Sequence, residues 1–407
     1  MSGALSGVRV LDFTERMQGP YGTQILGDLG ADVIKVERKE ALTADGRPDD
    51  RYGVEGQYGK TPEASSIYPA AFLASNRNKR SIALDLKSAG GREAARRLVG
   101  VCDVVYENFR PGVMERLGLG YADCVVINPS VVYASASGFG VDGPYAAFPG
   151  QDVLAQALSG FGSMNVSASG RPTPVGMSIT DLLGGMNGAI AVLAALHHRQ
   201  VTGEGQQVRV DLLSSGIAAQ SEQAVHFLNG HPGEPWRGTV MHANAYVPPP
   251  YGFYATKDGY LALSSGRQIA ALSRILGIAD LSQDPRFDTY QKRDQNRVEM
   301  EAIIEERLST RTTAQWMPVM RENDMYAAPV QGFEQAFNDP QVQHNEMIVT
   351  IDSPIGPIKL IAPAFALTKT PASIRTPPPL HGQHTDEILT ELGYPLPWEE
   401  TTPPTEQ

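Results

Sequence analysis

Apolar and polar positions fall into two textures along the chain. Over the first 215 residues, short apolar runs alternate with helix-like ones. Val8–Phe13 predicts a strand, Tyr21–Leu29 a helix closed by Gly30, and Val33–Val36 the next strand. Ser81–Leu86 alternates like a strand with one polar face. Gly91–Val99 predicts a helix, and Val104–Tyr106 and Val131–Ala134 further strands. This βαβ rhythm predicts a parallel sheet with helices on its faces and right-handed crossovers. A long helix follows from Asp181 to about Arg199, holding Gly184, Gly185, Gly188 and four alanines. Each helix-interior glycine costs about 1 kcal/mol against alanine, so three in one helix imply a packing reason. Gln207–Leu213 predicts a strand and Ser214–Asn229 a helix.

The second texture begins at Asn229–Tyr251, a Gly-, Pro- and His-rich stretch ending Val-Pro-Pro-Pro-Tyr. Proline runs disfavour helix and central strand alike, so this stretch predicts a linker. A compact α+β stretch follows: a strand at Tyr260–Ser264, then helices at Gln268–Leu276, Gln295–Leu308 and Thr313–Asn323. After Pro329 come short strands at Ile348–Ile351 and Ile358–Leu360. A second proline passage leads to a helix at Thr385–Leu392 and a polar tail.

A length of 407 residues leaves room for two or three domains. Lys and Arg number 34 against 45 Asp and Glu, a net charge of −11. That balance argues against a general nucleic-acid binder and leaves a small anionic ligand held by a local basic cluster. Two cysteines, Cys102 and Cys124, cannot form a disulfide framework and are expected to be buried thiols. The opening MSGALSGVRVLDF has no basic leader. No run reaches the roughly 20 apolar residues of a membrane span. The expectation is a soluble cytoplasmic protein without membrane partners.

Four constellations carry candidate chemistry. Strand, glycine turn, helix, strand and acid in VLDFTERMQGPYGTQILGDLGADVIKVE resemble a dinucleotide-binding opening, with Glu37 18 residues after Gly19. Yet Pro20 separates Gly19 from Gly22 in place of the G-x-G-x-x-G fingerprint, which favours a Rossmann-like βαβ without a dinucleotide. In NRNKRSIALDLK, Arg77, Lys79, Arg80 and Lys87 form a basic island that Arg38 and Arg116 could join. It suits phosphates or is a solvated turn. Asp181, after Ser178 and Thr180, reads as a helix N-cap or as a carboxylate nucleophile beside small residues. In HGQHTDEIL, His381 and His384 lack an evident third metal ligand, and Thr385 or Asp386 as helix cap is the better reading.

Together the segments VRVLDFT, GPYGTQILGDLGADVIKVER, NRNKRSIALDLK, DVVYENFRPGVMERLGLGY, SASGFGVDGP, QDVLAQALSG and HGQHTDEIL resemble the class III coenzyme A transferases. This is the family of formyl-CoA transferase and the carnitine-pathway CoA transferase; the α-methylacyl-CoA racemases share its fold. The resemblance implies an α/β chain with a large Rossmann-like domain built from both chain ends (1–229 and 330–407). A smaller α+β domain (230–329) lies between, and two copies interlock as a homodimer. It implies that Asp181 is the acyl-accepting carboxylate. It also implies that Arg38, Leu84, Lys87, Asn108 and Arg116 contact CoA, and that no metal or redox cofactor takes part. Met17, Gln18, Tyr21 and Gln151 could line the acid's pocket.

Three departures weigh against formyl-CoA and oxalate. Met17 stands where formyl-CoA transferase has glutamine, Ser137 where it has an adenine-side lysine, and Tyr246–Tyr251 where it has a tetraglycine loop. The racemases carry histidine where this chain has Gln151, and a glutamine cannot be a general base. The expected function is transfer of CoA from an acyl-CoA to a free carboxylic acid. The rivals are a racemase-type isomerase and a non-catalytic acyl-CoA-binding protein of the same fold.

Overall fold

The computed structural model describes residues 3–39, 69–165, 171–230, 244 and 246–398. Among them, six parallel strands form one sheet: β1 (Arg9–Asp12), β2 (Asp32–Arg38), β3 (Lys79–Leu84), β4 (Val104–Glu107), β5 (Val132–Ser137) and β6 (Gln207–Asp211). Their order is β3-β2-β1-β4-β5-β6. The order reverses between β1 and β4, and in open α/β sheets ligands bind beyond the carboxyl ends of the strands at that point. Helices cover both faces, which is why β1, β4 and β5 read as nearly continuous apolar runs.

The helices that matter for the site are α1 (Gln18–Asp28), α2 (Ala89–Val101), α3 (Asp152–Leu158), α4 (Ile179–Thr202), α5 (Leu212–Ala218) and α6 (Thr385–Glu391). On one face Leu11, Ile34, Ile82, Leu98, Tyr133 and both buried cysteines pack with Ile388 and Leu389 of α6, so the end of the chain completes the core begun by its start. On the other face Val10, Leu26, Val33, Val104 and Tyr106 pack against Ala189, Val192 and Ala195 of α4.

The glycines of α4 have the packing reason the sequence implied. A Cβ at Gly188 would lie 1.8 Å from the Tyr106 hydroxyl, and one at Gly185 would lie 2.6 Å from the Gln18 carbonyl oxygen. The backbones of α1 and α4 therefore run close together, with the Tyr106 ring between them. By length and composition alone, the 24-residue α4 could cross a membrane. Its glycine and alanine face is instead part of the sheet's packing.

Contacts divide the chain into Met1–Ser159, Gly176–Ala219 and Gln341–Gln407 as one unit, and Gly160–Val175 and Gln220–Pro340 as the other. Both chain ends belong to the first. The expected boundaries, 229/230 and 329/330, fall at 219/220 and 340/341, and 160–175 joins the second unit. The single helix expected over Ser214–Asn229 is two, α5 and Ser221–Leu228, with Gln220 non-helical between them. Of the expected linker, 231–243 and 245 lie outside the described residues. The linker's last residue opens a strand, β7 (Tyr251–Ala255), which pairs antiparallel with β8 (Tyr260–Ser264); β8 pairs with β9 (Ala327–Pro329). Trp316, Phe287, Met300 and Leu272 fill that unit's core. β10 (Ile348–Ile351) and β11 (Ile358–Ile361) form an antiparallel pair in the first unit.

Candidate active site

The carboxyl ends of β1, β2 and β4 are tied together by side chains. Asn108, just past β4, accepts from the Glu15 amide through Oδ1 (2.7 Å) and donates to the Glu15 carbonyl through Nδ2 (2.8 Å). The Glu15 carboxylate meets Arg38 Nη2 at 3.5 Å, and the carbonyl of Arg38 lies 2.7 Å from His381 Nε2. Leu84 pairs with Arg38 in the ladder and is buried. Arg38, Leu84 and Asn108 are thus brought together, with the Arg38 side chain largely exposed. Lys87 and Arg116 are exposed on the turn after β3 and in the short helix Val113–Arg116 after β4. A cleft of about 330 Å³ opens beyond β4 and β5, lined by Phe109, Arg110, Met114 and Ser137 among others.

Asp181 does not cap α4. Ser178 is the N-cap residue and Asp181 sits inside the first turn. The capping work is done from α3: Asp152 Oδ1 accepts from the Thr180 amide (2.8 Å) and the Thr180 hydroxyl (2.7 Å), while Oδ2 accepts from Gln156 Nε2 (2.7 Å). The Asp181 carboxylate is left half-buried, with no hydrogen bond from the described residues. Burial, and secondarily the charge of Asp152, push its pKa up to about 7. The positive end of α4 acts in the opposite sense and favours the anion.

Gln18 lies against Gly184 and Gly185, one turn on from Asp181. Its amide Nε2 would be 2.8 Å from a Cβ at Gly184, and it reaches the Ser137 carbonyl at 3.4 Å. The Tyr21 ring packs on Gly185, 3.1 Å from where a Cβ would stand. Gly184 and Gly185 are what admit both side chains to α4, one turn on from Asp181. Gln151 is exposed and adjoins Asp152 in sequence. Met17 is half-buried at the N-cap of α1, with no side-chain capping bond. Gln18, rather than position 17, therefore brings a glutamine side chain against α4, at Gly184.

Most of the basic island is not an open phosphate patch: three of its four cations are spent on carboxylates, and Lys87 alone of the four stands exposed. Arg77 forms a buried pair with Asp28 (2.7 Å), Lys79 one with Asp12 (2.9 Å), and Arg80 binds Asp32, Glu387 and Glu391. Glu37, at the position of a ribose-binding acid, is buried and bonded to the Ser81 hydroxyl. HGQHTDEIL is an edge clasp. His384 Nδ1 accepts from the Ser81 amide (3.1 Å), and Thr385 Oγ1 accepts from the Ala83 amide (3.0 Å). Neither Thr385 nor Asp386 caps α6, whose N-cap residue is His384.

Comparison with known proteins places this arrangement. The profile of CoA-transferase family III matches residues 5–385. The chain belongs to CoA-transferase family III. This CoA-transferase is 36% identical to succinyl-CoA:glutarate CoA-transferase of Mus musculus over 391 residues, covering 95% of this chain and 86% of the relative. It is 34% identical to acetyl-CoA:oxalate CoA-transferase of Acetobacter aceti, covering 88% and 89%. A crystal structure of a CAIB/BAIF family protein from Brucella suis superposes with a TM-score of 0.80 at 31% identity, covering 96% of this chain and all of that one. The sequence reading of this CoA-transferase did not single out Asp152 as the residue that orients the Asp181 turn. The signal available was an aspartate opening a helix directly after the Gly150-Gln151 pair.

Proposed function

We propose that the enzyme moves CoA from a dicarboxylic acyl-CoA of the succinyl type to a free dicarboxylate, with Asp181 as the covalent acceptor. The observation that carries this reading is the Asp181 carboxylate: unbonded, in the first turn of α4, with its capping duty taken over by Asp152. The names of the similar succinyl-CoA:glutarate enzymes support the choice of acid. Asp181 attacks the thioester carbonyl of the donor, giving a mixed anhydride and CoA thiolate. The thiolate attacks the aspartyl carbonyl of the anhydride, releasing the donor acid and leaving an aspartyl-CoA thioester. The acceptor carboxylate attacks that thioester to give a second anhydride and thiolate. The thiolate then attacks the acceptor's acyl carbonyl, which yields the new acyl-CoA and regenerates the Asp181 carboxylate. Dividing the exchange this way is what nucleophilic catalysis supplies. Arg38, Leu84, Lys87, Asn108 and Arg116 are assigned to CoA, and Gln18, Tyr21 and Gln151 to the acid, with Met17 at the margin.

Mixing the enzyme with succinyl-CoA and glutarate should give glutaryl-CoA, read by mass spectrometry. No exchange across acetyl-, succinyl- and formyl-CoA with mono- and dicarboxylic acids would refute the reading. In deuterated water without acceptor, recovered 2-methylacyl-CoA should carry no α-deuterium; its appearance would favour the isomerase.

The working form is proposed to be the interlocked homodimer. Val153, Leu154, Leu158, Met186, Ile190 and Ile217, on α3, α4 and α5, are large apolar side chains exposed in the single chain, which supports their cover by a second copy. Such an assembly has no separately folded monomer. Sedimentation at nanomolar concentration should show no compact active species at 43.9 kDa, and finding one would overturn the dimer.

A further inference from the structure

Four charged side chains lie buried on the α1 side of the sheet, at the carboxyl ends of β1 and β2 and on β3. Lys79 Nζ, fully buried, donates to Asp12 Oδ2 (2.9 Å), Asn76 Oδ1 (2.9 Å) and the Pro20 carbonyl (3.0 Å). Lys35 Nζ, equally buried, donates to the Thr14 carbonyl (2.7 Å). Asp12 also accepts from the Thr14 amide (2.8 Å) and from the hydroxyls of Thr14 (2.5 Å) and Thr23 (2.7 Å). Glu37, bonded to Ser81, adds a second negative charge that acts on Lys79.

A layer like this is not explained by stability. Well-packed apolar residues of similar volume are often as stabilising as a buried ion pair, or more so. What an ammonium adds is directed donors, and here each lysine gives one to a main-chain carbonyl. Those carbonyls, Thr14 and Pro20, bracket the turn that carries Gln18. We propose that Lys79 and Lys35 are positioning residues: they fasten the chain on either side of Gln18, from the end of β1 into the start of α1, and so fix Gln18 against Gly184 of α4, one turn on from Asp181. The inference rests on the reading of Asp181 as the reacting group. Burial depresses the pKa of Lys79 to about 8, against the pull of Asp12; the other charges facing it are Lys35 and Glu37 of β2. Mild alkali should therefore discharge Lys79 and loosen the turn.

The test pairs Lys79→Met with Asp12→Asn, so that no lone charge is left buried. Wild-type exchange is measured first. Its absence would fell the functional reading, and hydrogen exchange of the turn would then judge this proposal by itself. Peptides covering residues 14–22 should exchange about tenfold faster in the double variant, with those of β4 and β5 unchanged. The kcat should fall about tenfold while the acyl-CoA KM stays within about twofold. Gln18→Ala should cost about tenfold in the wild type and less than about twofold in the double variant, because both changes act through one side chain. The wild-type kcat should decline above about pH 8, and the variant's should not. A turn as protected as wild type, or a full Gln18→Ala effect in the variant, would overturn the proposal. If the double variant does not fold, Lys35→Met leaves the Asp12–Lys79 pair in place and is read by the same exchange, kcat and Gln18→Ala measurements, with the decline above about pH 8 retained.

Discussion

Asp181→Asn and Asp181→Ala should each abolish CoA exchange, by roughly 10⁴-fold or more, since loss of a nucleophile removes the whole covalent route. The asparagine variant keeps the volume of the side chain and, with Asp152 still bonded to Thr180, the geometry of the first turn of α4. Near-wild-type exchange by either variant would sink the assignment. The same carboxyl sets a pH dependence. Its pKa lies near 7, and only the anion attacks, so kcat/KM for the donor should fall as pH drops through 7, this acid limb being complete by about pH 8, where the decline expected from Lys79 begins. Stability should run the other way. A carboxyl whose pKa is higher folded than unfolded penalises the fold once ionised. The penalty is absent below the ordinary value of 3.8 and complete above about 7. Asp181→Asn should therefore raise the melting temperature by a few degrees at pH 8 and leave it unchanged near pH 4, reflecting on the order of 2 kcal/mol after allowing for partial exposure. An equal gain at both pH values would assign the effect to packing instead.

Gly188→Ala should be among the most damaging single methyl groups in the larger unit. The new Cβ would stand 1.8 Å from the Tyr106 hydroxyl, deep between α4 and β4, where neither backbone nor ring has room to yield. Overpacking of this kind costs about 3 kcal/mol or more and should leave little soluble enzyme. Tyr106→Phe should partly rescue it by removing that oxygen, leaving a ring carbon at 3.0 Å. By itself Tyr106→Phe should be neutral or stabilising by about 1 kcal/mol. The hydroxyl is buried, has no hydrogen-bond partner among the described residues, and has its pKa pushed well up by burial. Thermal melts of the three variants check this. A Gly188→Ala protein as stable as wild type would show that α4 and Tyr106 of β4 do not approach as described.

Much of this was legible in the residues. The strand runs and the small-residue face of α4 are period-driven, and both stand where the pattern put them. The helix Asp152–Leu158 was missed because its seven residues are too few to show a period. The NRNKRS island misled for a physical reason. Its arginines and lysine lie close in sequence, but their carboxylate partners Asp12, Asp28, Asp32 and Glu391 are supplied from 48 to 311 positions away. No local pattern encodes that neutralisation. Asp181 shows a related limit. Capping is a local property and was the natural reading of Ser-Ile-Thr-Asp, whereas its displacement by Asp152 depends on where α3 lies.

The clasp of residues 381–385 on β3 also governs the order in which the molecule can be completed. The outer amides of Ser81 and Ala83 find their acceptors in His384 and Thr385, about three hundred residues later. During synthesis β3 is therefore an open edge, its donors answered by water or by another chain, until residues 381–385 have emerged. The strands of the sheet all lie within residues 9–211, but its β3 edge is closed only by residues 381–385, so that border stays open until they are made.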